Sequence, residues 1–295
     1  MMNQDTLSKE DVELFYRLKN SLYLYANKKI GAIPDSEDWR SIRSHPPEKI
    51  MKIRDYVFKN RAIIDEFVEK NPFNLSKDEL DIVLSWKRAI VADHCILCKY
   101  EPEHALFLHD DVVYGVKGLI DSFRDLFQGY SPAFASLVII PFKDVFTHEG
   151  SIMTDPISIG RTMRNNIVAE AEEIMVKKGI AASLDRQPEK KEPSDIGLIK
   201  FYMKSEVNRD RFFDEIGALL KKKSPAVTAV YNYELSRINA KKARSELQRQ
   251  GIKGYFGVLL SQVIASGRTK KELDNNLRAI IQEDKLDQVY TFSIQ

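Results

Sequence analysis

Apolar positions recur at helical spacing through the first ninety residues. Ser8 and Asp11 open a pattern carried by Val12, Phe15, Leu18 and Leu22, which predicts an amphipathic helix. Pro34, Pro46 and Pro47 punctuate the next stretch. A second helical pattern follows in Ile50, Ile53, Tyr56, Val57, Ile63, Ile64 and Phe67, ending near Asn71-Pro72. The boundary at Leu75-Ser76-Lys77-Asp78-Glu79-Leu80 is written in full: Ser76 as N-cap, Glu79 as its capping-box partner, Leu75 stapled onto Leu80. The helix it starts carries Leu80, Val83, Leu84, Trp86 and Ile90.

From about residue 94 the pattern shortens to CILCKY, HALFLH, VVYGV, ASLVIIPF, DVFTH and SIMTD. Turn chemistry separates them at Glu101-Pro102, Asp110-Asp111, Gly129 and Glu149-Gly150. One short helix, LIDSFRDLF, interrupts them. Five or six short antiparallel strands predict a curled sheet or partial barrel, covered by the helices before it. A longer helix then runs from Gly160 to Lys178 on Met163, Ile167, Ala171, Ile174 and Met175, with Gly179 as its stop. Residues 185–195, DRQPEKKEPSD, are charged and contain proline, as a linker does.

The last hundred residues alternate. LIKFYM (198–203), AVTAVYNYEL (226–235), GYFGVLLSQVIA (254–265) and DQVYTFSI (287–294) read as strands. NRDRFFDEIGALLKKK (208–223), SRINAKKARSELQRQ (236–250) and TKKELDNNLRAII (269–281) read as helices. The two outer units match in pattern, which suggests duplicated βαβ. The expected fold is therefore α+β: a helical region over 1–92, a small antiparallel β-module with a flanking helix over 93–184, a linker over 185–195, and over 196–295 an α/β sandwich of repeated βαβ units, ferredoxin-like or related.

At 295 residues the chain is long for one hydrophobic core. It is 43% hydrophobic and 30% charged with mean hydropathy −0.34, ordinary for a soluble globular protein. A net charge of +2 lacks the strong basic excess of a dedicated nucleic-acid binder, yet leaves room for a local basic face. Two cysteines form no disulfide framework and point to a reducing compartment. With no apolar run of membrane-spanning length and no signal-peptide pattern, a cytoplasmic location is expected.

Candidate chemistry concentrates in DHCILCKYEPEHALFLHDD (93–111). A zinc site would draw on His94, Cys98, His104 and His109, with Cys95 completing a C-x-x-C spacing. Ile96 and Leu97 between the cysteines favour an extended strand, however, and a strand sends Cys95 and Cys98 to opposite faces. The cysteines then read as small core hydrophobes, and Asp110-Asp111 as a hairpin turn. His148-Glu149 falls at what reads as an exposed hairpin tip between VFT and SIM. The common phosphate-loop, dinucleotide, metalloprotease and hydrolase motifs are absent.

The stretch 236–253 carries Arg237, Lys241, Lys242, Arg244, Arg249 and Lys253 against one acid, Glu246. Cations with the nearby aromatics Phe201, Tyr202, Tyr231, Tyr233, Tyr255 and Phe256 are the elements of a sheet-based RNA binder. A non-enzymatic binding or regulatory protein is the expectation, acting through the C-terminal domain on RNA or a protein partner. Self-association is held in reserve, and no cofactor is expected. The competing reading is a metal-assisted hydrolase at His94–His109, with zinc.

The Trp-ended helix at Ser85-Trp86-Lys87, then VYGVKGL (113–119) and LVIIPF (137–142), resembles a signature of uncharacterised bacterial and archaeal proteins: VYGV-x-GL, LLPF and a turn ending Asp-Gly. Glu149-Gly150 stands where that pattern has Asp-Gly. The resemblance covers about residues 75–156 and implies a recurrent β-module in which CILCKY is an apolar strand, with no activity attached.

Overall fold

The computed structural model describes residues 5–34, 38–155, 157, 159–185 and 194–295. The chain forms two compact units, Met1–Lys191 and Glu192–Gln295. The division falls within the polar stretch 185–195, of which 186–193 lie outside the described residues. The fold is α+β. Among the described residues no helix is long and apolar enough to cross a membrane.

The first unit opens with α1 (Lys9–Ile30), capped by Ser8, whose hydroxyl accepts from the Asp11 amide, and ended by Gly31 in the left-handed region. Next come α2 (Pro47–Lys59), with proline in its first turn, α3 (Ala62–Lys70) and α4 (Lys77–Ser85). Both hydrogen bonds of the Ser76/Glu79 capping box are present. The strands are β1 (Ile90–Tyr100), β2 (Ala105–His109), β3 (Val112–Lys117), β4 (Ala133–Phe142) and β5 (Val145–Thr154), with the four-residue α5 (Phe123–Leu126) between β3 and β4. They close into a barrel in the order β1-β2-β3-β5-β4. All pairs are antiparallel except β3 with β5, a short parallel pairing of Val116 with Phe146 and Lys117 with Thr147. The barrel is thus mixed where an all-antiparallel sheet was expected.

Side-chain alternation sorts the strands into three packed regions. Cys95, Leu97, Phe107, Val116, Leu137 and Ile139 fill the interior with Phe123 and Phe127 from the α5 segment. Val138, Ile140 and Phe142, on the opposite side of β4, join Phe15, Leu18, Trp86 and the rest of the α1–α4 core. Phe15 holds the joint, its ring 5.5 Å from Phe142 and 5.8 Å from Trp86. Truncating such a fully buried ring costs about 3–5 kcal/mol. A third layer packs Cys98, Leu106, Leu108 and Val113 beneath Ile167, Ala171 and Ile174 of α6 (Arg161–Lys178).

The second unit departs from the expected βαβ repeat. LIKFY of LIKFYM belongs to α7 (Asp195–Tyr202), and AVTAVYNYEL lies in the first part of a 25-residue helix, α10 (Pro225–Arg249). Between them lie α8 (Glu206–Arg211) and α9 (Phe213–Lys221). Ser194 caps α7 through the Gly197 amide, and Pro225 starts α10. Phe201 and Tyr202 pack on Phe212, with the Tyr202 and Phe212 rings stacked at 4.7 Å. Strand preference spans only about 1 kcal/mol per residue, and this helical packing outweighs it. GYFGVLLSQVIA is a hairpin of β6 (Gly254–Leu259) and β7 (Gln262–Gly267), turning at Leu260, where φ is 55°. After α11 (Lys270–Ile280), β8 (Tyr290–Ile294) completes an antiparallel sheet in the order β7-β6-β8. Ala240, Ala243 and Leu247 of α10 cover the Phe256/Phe292 face. Leu273 and Leu277 of α11 cover the other.

Candidate nucleic-acid interface

Helix α10 positions the basic residues. Arg237, Lys241 and Arg244, four and three residues apart, share one side of it. With Ala240 and the β8 aromatics Tyr290 and Phe292 they line a groove of about 100 Å³. The three cations differ in their engagements. The Arg237 guanidinium donates to Glu234 Oε2 at 2.6 Å and to the carbonyls of Met203 and Lys204 at 3.2 and 2.7 Å, tying the end of α7 to α10. Lys241 and Arg244 are exposed and make no ion pair among the described residues. Tyr290, half-buried, packs edge-on against Tyr233 at 5.9 Å.

The other predicted cations lie elsewhere. Lys242 Nζ is 3.4 Å from Glu206 Oε1, and Arg249 is paired with Glu246. Lys253 is exposed in the turn before β6. The predicted aromatic platform is not assembled. Phe201 and Tyr202 are buried on α7, Tyr231 and Tyr233 lie on α10, and Tyr255 and Phe256 lie under α11 and α10. Helices cover both faces of the sheet, so no open face presents rings for stacking. Charge is unevenly distributed, however: residues 192–295 hold 18 Lys and Arg against 13 Asp and Glu, a surplus of 5 within a chain whose net charge is +2.

The side chains of the histidine–cysteine stretch are dispersed: among the described residues no three His, Cys, Asp or Glu side chains gather closely enough to hold an ion. The residues named for zinc go four ways. His94 sits in a bulge of β1, between Ala92 and Cys95, with φ 55° and a ring 81% exposed, its Nδ1 3.4 Å from Asp155 Oδ2. Cys98 is buried beneath α6, whereas Cys95 points into the barrel. His104 packs on Gly115, where a Cβ would lie 2.8 Å from its ring, and burial lowers its pKa. His109 ends β2, and Asp110 and Asp111, both at positive φ, make the two-residue turn into β3. Burial pushes both thiols up to about 12, so they are held as neutral thiols.

A polar cluster lies where the sequence pattern suggested an exposed tip. His148 and Glu149 are in the middle of β5, 5% and 0% exposed, packed beneath α1. The Tyr23 hydroxyl donates to Glu149 Oε1 at 2.7 Å, and the Ser151 amide donates to Oε2 at 3.2 Å. Lys19 Nζ lies 3.5 Å from Oε1 and donates to the Glu149 carbonyl at 3.2 Å. Burial alone would raise the Glu149 pKa, but Lys19, the Tyr23 hydroxyl and Arg54 together hold it below the usual carboxylate range. Gly150, at φ 115°, bends the strand beneath Lys19. The Gly150 amide donates to His148 Nδ1, and burial depresses the His148 pKa to about 4. Closed to solvent, the cluster ties α1 to the barrel and is not poised for catalysis. One sequence signal marks it: Lys19 interrupts the apolar side of α1 between Phe15 and Leu22, and a charged residue on a buried stripe requires a partner.

Another groove in the first unit, about 840 Å³, runs beside the start of α1 and is lined by residues of both signs, including the paired Lys143 and Asp11. Its charges offset one another. No protein-family model, curated protein or solved structure matches the chain.

Proposed function

We propose that the protein is a non-enzymatic binding protein of the cytoplasm whose C-terminal unit engages single-stranded RNA along α10. The observation that carries this reading is the pair Lys241 and Arg244: exposed, one turn apart, without ion pairs among the described residues, and beside the half-buried ring of Tyr290. Two such cations meet consecutive phosphates of a strand, and an aromatic edge beside them accommodates a sugar or base. The basic surplus of residues 192–295 supports the same reading, because an attractive field raises the encounter rate with a polyanion. Arg237 stands apart as a positioning residue that fixes the helix through backbone carbonyls.

The test is fluorescence anisotropy of a fluorescein-labelled oligouridine over a series of salt concentrations. K241S/R244S is expected to weaken binding about tenfold or more and to reduce the slope of log K against log salt by about 1.4, roughly 0.7 per lost phosphate contact. K242S/R249S, which removes cations already paired to Glu206 and Glu246, has a smaller effect. Equal affinity and an unchanged slope in K241S/R244S would refute the reading.

A further inference from the structure

We propose that a groove in the first unit, between the segment 126–133 and the start of α6, binds a small amphipathic anion: an apolar or aromatic body bearing a carboxylate. The groove encloses about 480 Å³, within the roughly 300–1,000 Å³ of small-molecule sites. Its walls are Leu126, Phe127, Tyr130, Pro132, Ile157 and Ile159. Leu126, Tyr130 and Ile157 are 44%, 69% and 55% exposed. Side chains of that size left open around one concavity mark a surface that a ligand covers. The wall is held in place from behind: the Tyr100 hydroxyl donates to the Tyr130 carbonyl at 2.7 Å, and the Arg124 guanidinium lies 4.7 Å from the Tyr100 ring centre.

The charge of the ligand follows from what borders the apolar wall. Arg164 lines the groove from the first turn of α6 and makes no ion pair among the described residues. Its helix starts at Gly160 without a side-chain cap and has no acid in its first turn. The Arg164 guanidinium therefore brings an unpaired positive charge to that side of the groove. The one carboxylate in the lining, Asp155, faces the His94 ring at 3.4 Å. An anion with an apolar body complements both features, whereas a neutral body of the same size satisfies only the wall.

The probe is 1-anilinonaphthalene-8-sulfonate, an aromatic anion that brightens in apolar surroundings. It is titrated into the full chain carrying K241S/R244S, so that the α10 groove contributes no signal and failure here leaves the RNA reading untouched. Saturable enhancement at one site is expected, displaced by decanoate at a concentration about tenfold or more below that of decanol, the worth of one charge-assisted hydrogen bond. Arg164→Gln should erase the preference for decanoate while leaving displacement by decanol unchanged, and Ile157→Asn should weaken both. Arg164 is exposed, so the variant retains its fold, which the far-ultraviolet circular dichroism spectrum checks. Absence of saturable enhancement, equal displacement by the two competitors, or a decanoate preference that survives Arg164→Gln would overturn the proposal.

Discussion

Replacing Lys19 with methionine tests the buried cluster directly. Lys19 Nζ and Glu149 Oε1 are 3.5 Å apart, with side chains 8% and 0% exposed. At the effective dielectric of about 20 that suits protein sites, that separation corresponds to roughly 5 kcal/mol of attraction. Desolvating two ions costs several kcal/mol each, so the intact pair contributes little net stability. The single variant is another matter. Lys19→Met leaves the carboxylate buried with only Tyr23, Ser151 and the field of Arg54 to hold it, and an uncompensated buried charge costs about 3–5 kcal/mol. Glu149→Leu removes the carboxylate that faces the ammonium and accepts from the Tyr23 hydroxyl, at a similar cost. The double variant K19M/E149L removes both charges and should be less destabilised than the sum of the singles by about 2 kcal/mol or more. Urea unfolding followed by tryptophan fluorescence reads the effect in the right place, because Trp39 and Trp86 both belong to the first unit. Single variants within 1 kcal/mol of the parent, or a coupling below about 0.5 kcal/mol, would mean that the pair is solvated and the reasoning wrong.

The same cluster sets an acid limit. Burial holds His148 near a pKa of about 4 against the ordinary 6.5, so the unfolded chain takes up a proton that the folded chain refuses. His148 stability is fully present above pH 6.5 and declines by about 1.4 kcal/mol per pH unit towards pH 4; His148→Phe should flatten that slope in paired urea titrations, and parallel slopes would refute the assignment. Glu149, lowered instead from 4.5, contributes stability above that pH and loses it only as the pH falls through its folded value, so Glu149→Gln should change the profile in the more acidic range. Both thiols are buried and pushed up to about 12, so Ellman's reagent at pH 8 should find neither in the native protein and both in urea; rapid native labelling would contradict the packing. At Gly267 a Cβ would lie 2.5 Å from the Leu273 amide nitrogen, and Gly267→Ala should destabilise the second unit by about 1–3 kcal/mol, read by circular dichroism at 222 nm.

Much of the first unit is legible in the sequence because its signals are local. Ser76 and Glu79 announce a helix start through bonds made within four residues, and Asp110-Asp111 announces a turn through its tolerance of positive φ. Alternation in CILCKY placed Cys95 and Cys98 on opposite sides of a strand, where they are. What was missed depends on residues far apart in sequence. LIKFYM and AVTAVYNYEL carry the β-branched and aromatic residues of strands, yet Ser194 and Pro225 start helices there, and Phe212 and Tyr290 supply the packing. His148-Glu149-Gly150 looks like a tip because a glycine follows two polar residues. Gly150 bends a continuous strand instead, and Glu149 finds its partners on α1, about 130 residues earlier. The candidate RNA groove was half visible: the cations were in the sequence, but which were already paired, and that Tyr290 stood beside them, required the three-dimensional arrangement.

Barrel closure has a consequence for how each unit can meet other chains. The first unit closes its sheet, so that no strand in the order is terminal, although β3 and β5 meet over two residue pairs only. The second unit is built the other way: β7 and β8 are each paired on one side only, and neither QVIASG nor YTFSI contains a lysine, a proline or any charge. Such margins lack the residues with which proteins ordinarily discourage edge-to-edge joining. Strand addition, whether as recognition of an extended peptide or as unwanted polymerisation at high concentration, finds two terminal edges in the second unit, and a single lysine introduced at the outer edge of β7 would suppress it there.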